Sequence, residues 1–259
     1  VSGSPPLTLL TFAPMIDSEL ARLALAHYGA DYREDDHVFG VASVLALRHA
    51  WTVQVPVLYG GGLRVAGPRA MVDALDRSCP AARQLVPTVQ PLRSLVEADW
   101  DRFNNKLAAE TAPFAYFHLL PLRDLMTEPF CRGIPAAEAA ALRSWGYPLL
   151  RGLLTLLLRL NAARADDALI RIRATLDHTD AVLADGRPYM TGERLTLSDF
   201  ALAAAIAPLL LPAGYGSKLP PLEQMPPPMA AAIAECRARP TAAFVSRLYS
   251  QHPPRPSPG

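Results

Sequence analysis

Gln54-Val55-Pro56-Val57-Leu58-Tyr59-Gly60-Gly61-Gly62-Leu63-Arg64-Val65 consists of two β-prone runs around a glycine turn. That pattern signals a hairpin, whose tight turn favours residues able to take positive φ. Toward the N-terminus, Leu7 to Phe12 (LTLLTF) is a short apolar strand, broken by Ala13-Pro14 and followed by Asp17-Ser18, which can cap a helix. Leu20, Leu23, Ala24 and His27/Tyr28 then recur at helical spacing, and Gly29 stands where a left-handed residue ends a helix. Asp31 to Asp36 reads as a second strand, polar and partly exposed, and the stretch up to Gln54 as irregular. Pro68 suits the first turn of another helix, running to about Leu75. The order is β, α, β, irregular, β, β, α.

Beyond Ser78 the strand signals cease. Helical patterns cover about Leu92 to Leu120, Ala136 to Leu160, Asp166 to Leu183, Ser198 to Leu211, Pro228 to Arg237 and Thr241 to Tyr249. Proline-rich breaks such as Pro220-Pro221 and Pro226-Pro228 separate them, because proline has no N–H to continue a helix. The expected division is a first domain over 1–80 and an all-helical second domain over 91–252, with Pro253 to Gly259 as a frayed tail. Leucines nearly surround the axis of Leu149 to Leu160, so that helix is expected at the buried centre of the bundle.

The chain has 259 residues, 51% hydrophobic and 19% charged, which describes a folded globular protein. With 25 Lys and Arg against 24 Asp and Glu, it has no overall basic field for nucleic acid or anionic lipid, and neither nucleic acid nor membrane is expected as a partner. Cys79, Cys131 and Cys236 are far apart and odd in number, which argues against a disulfide framework and a zinc site and fits a reducing cytoplasm. The apolar window Pro148 to Leu160 carries Arg151 and Arg159 and falls short of the ~20 residues a membrane-crossing helix needs. No basic stretch followed by an apolar one opens the sequence, so a cytoplasmic location is expected. His27, His37 and His49 lack acidic or Cys companions at ligand spacing, and no metal is expected.

Three stretches together resemble the glutathione transferase family over nearly the whole chain. Thr11-Phe12-Ala13-Pro14 followed by Ala21-Arg22-Leu23-Ala24-Leu25 is similar to the family's opening strand and Arg-containing first helix. Gln54-Val55-Pro56-Val57-Leu58 is similar to the cis-proline segment before the third strand of a thioredoxin-like fold. Tyr189-Met190-Thr191-Gly192-Glu193-Arg194-Leu195-Thr196-Leu197-Ser198-Asp199-Phe200 resembles the family's buried helix-capping segment. Thr196 as N-cap and Asp199 three residues on satisfy helix-end donors there. The resemblance implies a thioredoxin-like N-terminal domain, an all-helical C-terminal domain, a homodimer, and glutathione as co-substrate for a small hydrophobic electrophile.

The resemblance also distributes roles. Val55 and Pro56 would present backbone groups to glutathione, as an added strand meets a sheet edge. Gln54, Gly67, Pro68 and Arg69 occupy the places that hold its carboxylates. The family's Ser or Cys at the start of the first helix falls on Met15, which neither donates nor attacks, leaving Thr11 or Ser18 as the hydroxyl that activates the thiol. Ala13, Trp100, Phe103, Asn104 and Tyr116 would line the acceptor site, with Trp100, Phe103 and Asn104 on one helical face. Met15 and Gly67-Pro68 depart from the family pattern. They motivate the competing expectation of a non-catalytic interaction or ligand-binding module.

Overall fold

The computed structural model describes residues 7–216 and 219–254. Strand β1 (Leu7–Thr11) pairs in parallel with β2 (Tyr32–Asp36), placing Leu7 opposite Tyr32. It pairs antiparallel with β3 (Val57–Gly60), Leu9 opposite Leu58, and β4 (Leu63–Ala66) closes the sheet in the order β2-β1-β3-β4. Side chains alternate across a pleated sheet. Leu9 and Leu58 therefore pack with Ala21 and Leu25 of α1 (Ile16–Tyr28) and Met71 of α3 (Pro68–Asp76). Leu10 and Val57 face the other way, toward Ala42 and Ala46 of α2 (Phe39–Ala50).

Helix α2 replaces the irregular stretch expected before Gln54. Ala42 and Ala46 make its buried contacts while Val41, Val44 and Leu47 stay exposed. Its largest apolar side chains thus face away from the core and mask the helical period. Gly29 ends α1 with φ of 65° and ψ of 30°, as its position implied. The N-cap of α1 is Met15, with no side-chain cap, in place of Asp17-Ser18.

In the C-terminal half, α4 (Leu92–Trp100) continues through a π-helical turn at Asp101–Leu107 into α5 (Ala108–Leu119). Pro113 has no N–H for the Ala109 carbonyl, and Arg164 Nη2 donates to that oxygen instead at 2.7 Å. Helix α9 (Ala162–Leu183) lies along α5. The connection between them holds α6 (Arg123–Cys131), which the sequence reading missed, α7 (Ala136–Ala141), a second π turn at Leu142–Gly146 and α8 (Tyr147–Leu157). This excursion reaches the sheet domain: Glu138 accepts the Val38 N–H at 2.9 Å and meets His37 at 2.6 Å.

Helix α10 (Leu197–Leu210), buried at every residue, occupies the bundle centre. The expectation that Leu149 to Leu160 lies there is corrected. Leu149 is 64% and Leu156 76% exposed, and only Tyr147, Leu150 and Leu154 of α8 are buried. Both helices are apolar on most faces, but α8 carries Arg151 at mid-length, whereas the charge of α10 is Asp199 at its start. Helices α11 (Pro227–Arg237) and α12 (Pro240–Gln251) complete the bundle, and the expected tail lies outside the described residues from position 255. The fold is a thioredoxin-like α/β unit joined to an all-helical unit, as the sequence implied.

Asp199 does not pair with Arg194. Its carboxylate accepts the Met190 and Thr196 N–H groups at 2.7 Å each and the Thr196 hydroxyl at 3.2 Å. Arg194 donates to the carbonyls of Ala81 and Gln84 in the segment joining the two halves.

Candidate functional site

A cleft of about 540 Å³ opens between the halves. Its floor is the start of α1, with Met15 and Asp17; Phe39 of α2 and Gln54 enter from the sheet domain. Asn104 and Asn105 of the first π turn, Ala112 and Tyr116 of α5, and Leu154 and Leu157 of α8 form the opposite wall.

The polar groups here are few and specific. Met15, the N-cap of α1, offers no side-chain acceptor to the first-turn N–H groups. Burial pushes the Asp17 carboxyl up to about 6. The Asn104 Oδ1 is buried without a hydrogen-bond partner among the described residues. The Tyr116 hydroxyl lies 3.5 Å from the Pro14 carbonyl, and burial raises its pKa above the usual phenol range.

The candidate residues divide between the cleft and the interior. Met15, Gln54, Asn104 and Tyr116 line the cleft. Thr11 is fully buried, and its hydroxyl donates to Asp36 and Glu34; Ser18 is fully buried and donates to the Phe12 carbonyl at 3.1 Å. Both hydroxyls thus bond within the interior of the sheet domain, and neither Thr11 nor Ser18 is among the residues lining the cleft. Ala13 is buried, its carbonyl accepting from Arg22 at 3.2 Å.

The carboxylate-binding positions are also engaged. The Val55–Pro56 peptide bond is cis, and Val55 is 2% exposed. The Gly67 N–H, expected to be open to an anion, donates to the Pro56 carbonyl at 2.8 Å, and buried Pro68 begins α3 with no N–H to add. Arg69 forms a bidentate pair with Glu97 of α4 at 2.6 and 2.7 Å, contacts Asp73 at 3.1 Å, and lies 5.9 Å over the Trp100 ring. The bond from Arg69 holds Glu97 below the usual carboxylate range.

Trp100 therefore packs beneath Arg69, and Phe103 is wholly in the core, so neither lines the acceptor side. Of the three, only Asn104, within the π turn, lines the cleft. Asp17, Phe39, Ala112, Leu154 and Leu157 are among the lining residues that the sequence did not reveal. An acidic residue in the first turn of an uncapped helix was the one signal available, for Asp17.

Gly67 has φ of 79°, and a Cβ there would come within 2.7 Å of Gln54 Nε2. Gly67→Ala combines left-handed strain with that clash, so it should cost about 1–3 kcal/mol and lower the melting temperature. An unchanged melting temperature would show that Gln54 moves aside and the backbone relaxes.

No family model and no curated protein matches the sequence. Among solved structures, a glutathione S-transferase from Rhodospirillum rubrum F11 is similar at 18% identity and a TM-score of 0.58, covering 92% of this chain and 91% of its own. One from Sinorhizobium meliloti 1021 is similar at 18% identity and 0.56, covering 98% and 96%. A theta class enzyme from Xanthomonas axonopodis pv. citri, with glutathione bound, is similar at 20% identity and 0.52, covering 96% and 97%. Strand order, the helical bundle and these similarities over nearly the full length give this chain the glutathione S-transferase fold.

Proposed function

We propose that the protein is a glutathione-transferase-like module that binds a small, mainly apolar molecule in the cleft without activating a glutathione thiol. One observation carries this reading. The hydroxyls of Thr11 and Ser18, the Gly67 N–H and the Arg69 guanidinium are all committed to partners within the chain. A glutathione molecule would have to displace the buried bonds of Thr11, Ser18 and Gly67, each worth about 1–3 kcal/mol, and the half-exposed Arg69–Glu97 pair. The apolar wall of Phe39, Ala112, Leu154 and Leu157, with Asp17, Gln54 and Asn104 as isolated polar points, suits a small organic ligand. The same reading places the protein in the cytoplasm.

A second reading keeps glutathione chemistry, favoured by the uncapped start of α1. Backbone N–H groups at a helix N-terminus stabilise a thiolate, and they open on the cleft where Met15 stands. The nearby Asp17 carboxylate opposes them. Under this reading the protein is a transferase acting on a small hydrophobic electrophile, as a homodimer.

Titration separates the two. Millimolar glutathione should give no heat and no thermal shift. A neutral apolar dye, N-phenyl-1-naphthylamine, should brighten on binding, and Ala112→Trp, which fills the cleft from α5, should cut that signal roughly five-fold. Saturable glutathione heat would sink the first reading. Conjugating activity that survives both Thr11→Val and Ser18→Ala would then assign the thiolate to α1.

A further inference from the structure

Helix α8 has three faces. Tyr147, Leu150 and Leu154 pack inward. Leu149, Leu153 and Leu156, continued by Trp145 from the preceding π turn, follow at helical spacing on a second face and remain 64%, 39%, 76% and 64% exposed. Arg151 and Thr155 occupy the third. The apolar face borders a groove of about 500 Å³, whose far wall is Val41 and Val44 of α2. The third face borders a concavity of about 770 Å³ that gathers Arg123, Arg151 and Arg159 with no carboxylate in its lining. Leu156, at the end of the exposed leucine and tryptophan row, also lines this concavity and joins the ridge to the arginines.

The charge around this ridge is segregated, although the whole chain is nearly neutral. Between Arg123 and Arg159 lie five arginines and three carboxylates. Glu128 is taken by Arg143 at 2.9 Å, and Glu138 by His37 and the Val38 N–H. Arg123 donates to the carbonyls of Arg143 and Ser144, which holds its side chain across the concavity without neutralising it. Arg151 and Arg159 form no ion pair among the described residues. Asp124 is the remaining acid, against Arg123, Arg132, Arg151 and Arg159.

We propose that this face of α8 docks the protein onto an anionic lipid surface, with the leucine and tryptophan ridge in the acyl boundary and the three arginines on headgroup phosphates. An amphipathic helix lying in a membrane interface has this composition, apolar and aromatic on one side and Arg-rich on the next. The docking is peripheral: no described helix is long and apolar enough to cross a membrane. One observation favours lipid over a second copy of the chain: the cationic border of the ridge would meet an identical cationic border across a two-fold axis.

The test is flotation of the full chain with vesicles of phosphatidylcholine alone and with about 30% phosphatidylserine. Binding is expected only to the anionic vesicles and should weaken as salt rises. Arg151→Gln with Arg159→Gln should lower the partition coefficient about 30-fold, at the usual contribution per arginine near an anionic surface. Leu149→Ser with Leu156→Ser should abolish binding while the melting temperature holds, since both side chains are exposed. Absence of binding at low salt, or binding indifferent to both variants, would overturn the proposal. So would a dimer in sedimentation velocity that the serine variants dissociate without any vesicle binding, and so would binding of inorganic phosphate alone.

Discussion

Arg22→Met should leave the protein largely unfolded at neutral pH. Arg22 is fully buried, and around its guanidinium lie Glu19 at 3.1 Å, Glu34, bonded to Nε at 2.7 Å, and Asp36 at 3.8 Å. The three carboxylate side chains are at most 2% exposed. Burial works against the Arg22 charge, but Glu34 and then Glu19 outweigh it and hold the guanidinium protonated above its ordinary range. Removing one partner of a buried ion pair costs about 3–5 kcal/mol, and here three acids would lose one cation, against a total stability of ~5–15 kcal/mol.

The sign of the pH dependence follows from the carboxylates. Burial already raises the Glu19 pKa above its ordinary value of 4.5, even with Arg22 beside it. A carboxyl whose folded pKa is raised holds its proton in the native state after the unfolded chain has lost it. Its stabilising effect is present below about 4.5 and disappears as pH rises through the folded value. Arg22→Met should therefore recover structure as pH is lowered from about 8 to about 5, followed by circular dichroism and urea titration. A variant as stable as the wild type at neutral pH would mean that water or a rearranged donor replaces the guanidinium.

Asp199→Ala should have the second largest effect, a loss of about 3–5 kcal/mol. Its fully buried carboxylate accepts two backbone N–H groups and one hydroxyl at the head of α10, the helix around which the bundle is built. Alanine strands the Met190 and Thr196 N–H groups, while the Thr196 hydroxyl keeps Thr191 Oγ1 at 3.3 Å, and a buried donor without a partner costs about 1–3 kcal/mol. Asp199→Asn, which keeps one carbonyl acceptor, should recover about half of the loss. Burial pushes the Asp199 carboxyl up to about 7 against the pull of its donors, so this group makes the wild type lose stability as pH rises from 3.8 toward 7. The midpoint of urea unfolding measures the substitutions, and a shift equivalent to less than 1 kcal/mol for alanine would reduce the segment to an ordinary cap.

The strands, α1 with its glycine terminator, the hairpin and the capping segment were legible because each is specified by local chemistry. Gly29, the glycines at Gly60 to Gly62, and Thr196 with Asp199 act within a few residues of themselves. Helix α2 and the exposure of α8 were not legible, since apolar residues on several faces say nothing about which face will find a partner. Of the candidate site, Met15, Gln54, Asn104 and Tyr116 reach the cleft. Thr11, Ser18 and Arg69 are bonded within the chain, which the sequence does not reveal: a residue type shows that a donor exists, and only tertiary contacts show whom it serves. Trp100 packs against Arg69 and Phe103 into the core, while Asn104 reaches the cleft from the π turn, which leaves no mark in composition.

That turn gives residue number a weight of its own. Between Trp100 and Ala108 the helix holds more residues than straight α-helical winding would place there, and shortening the stretch by one would swing one arm against the other by about 100°. The orientation of Asn104 is thus governed by arithmetic along the chain. Substitutions can retune the wall of the cleft piece by piece, but an insertion or deletion at Asp101–Leu107 would exchange the whole wall at once.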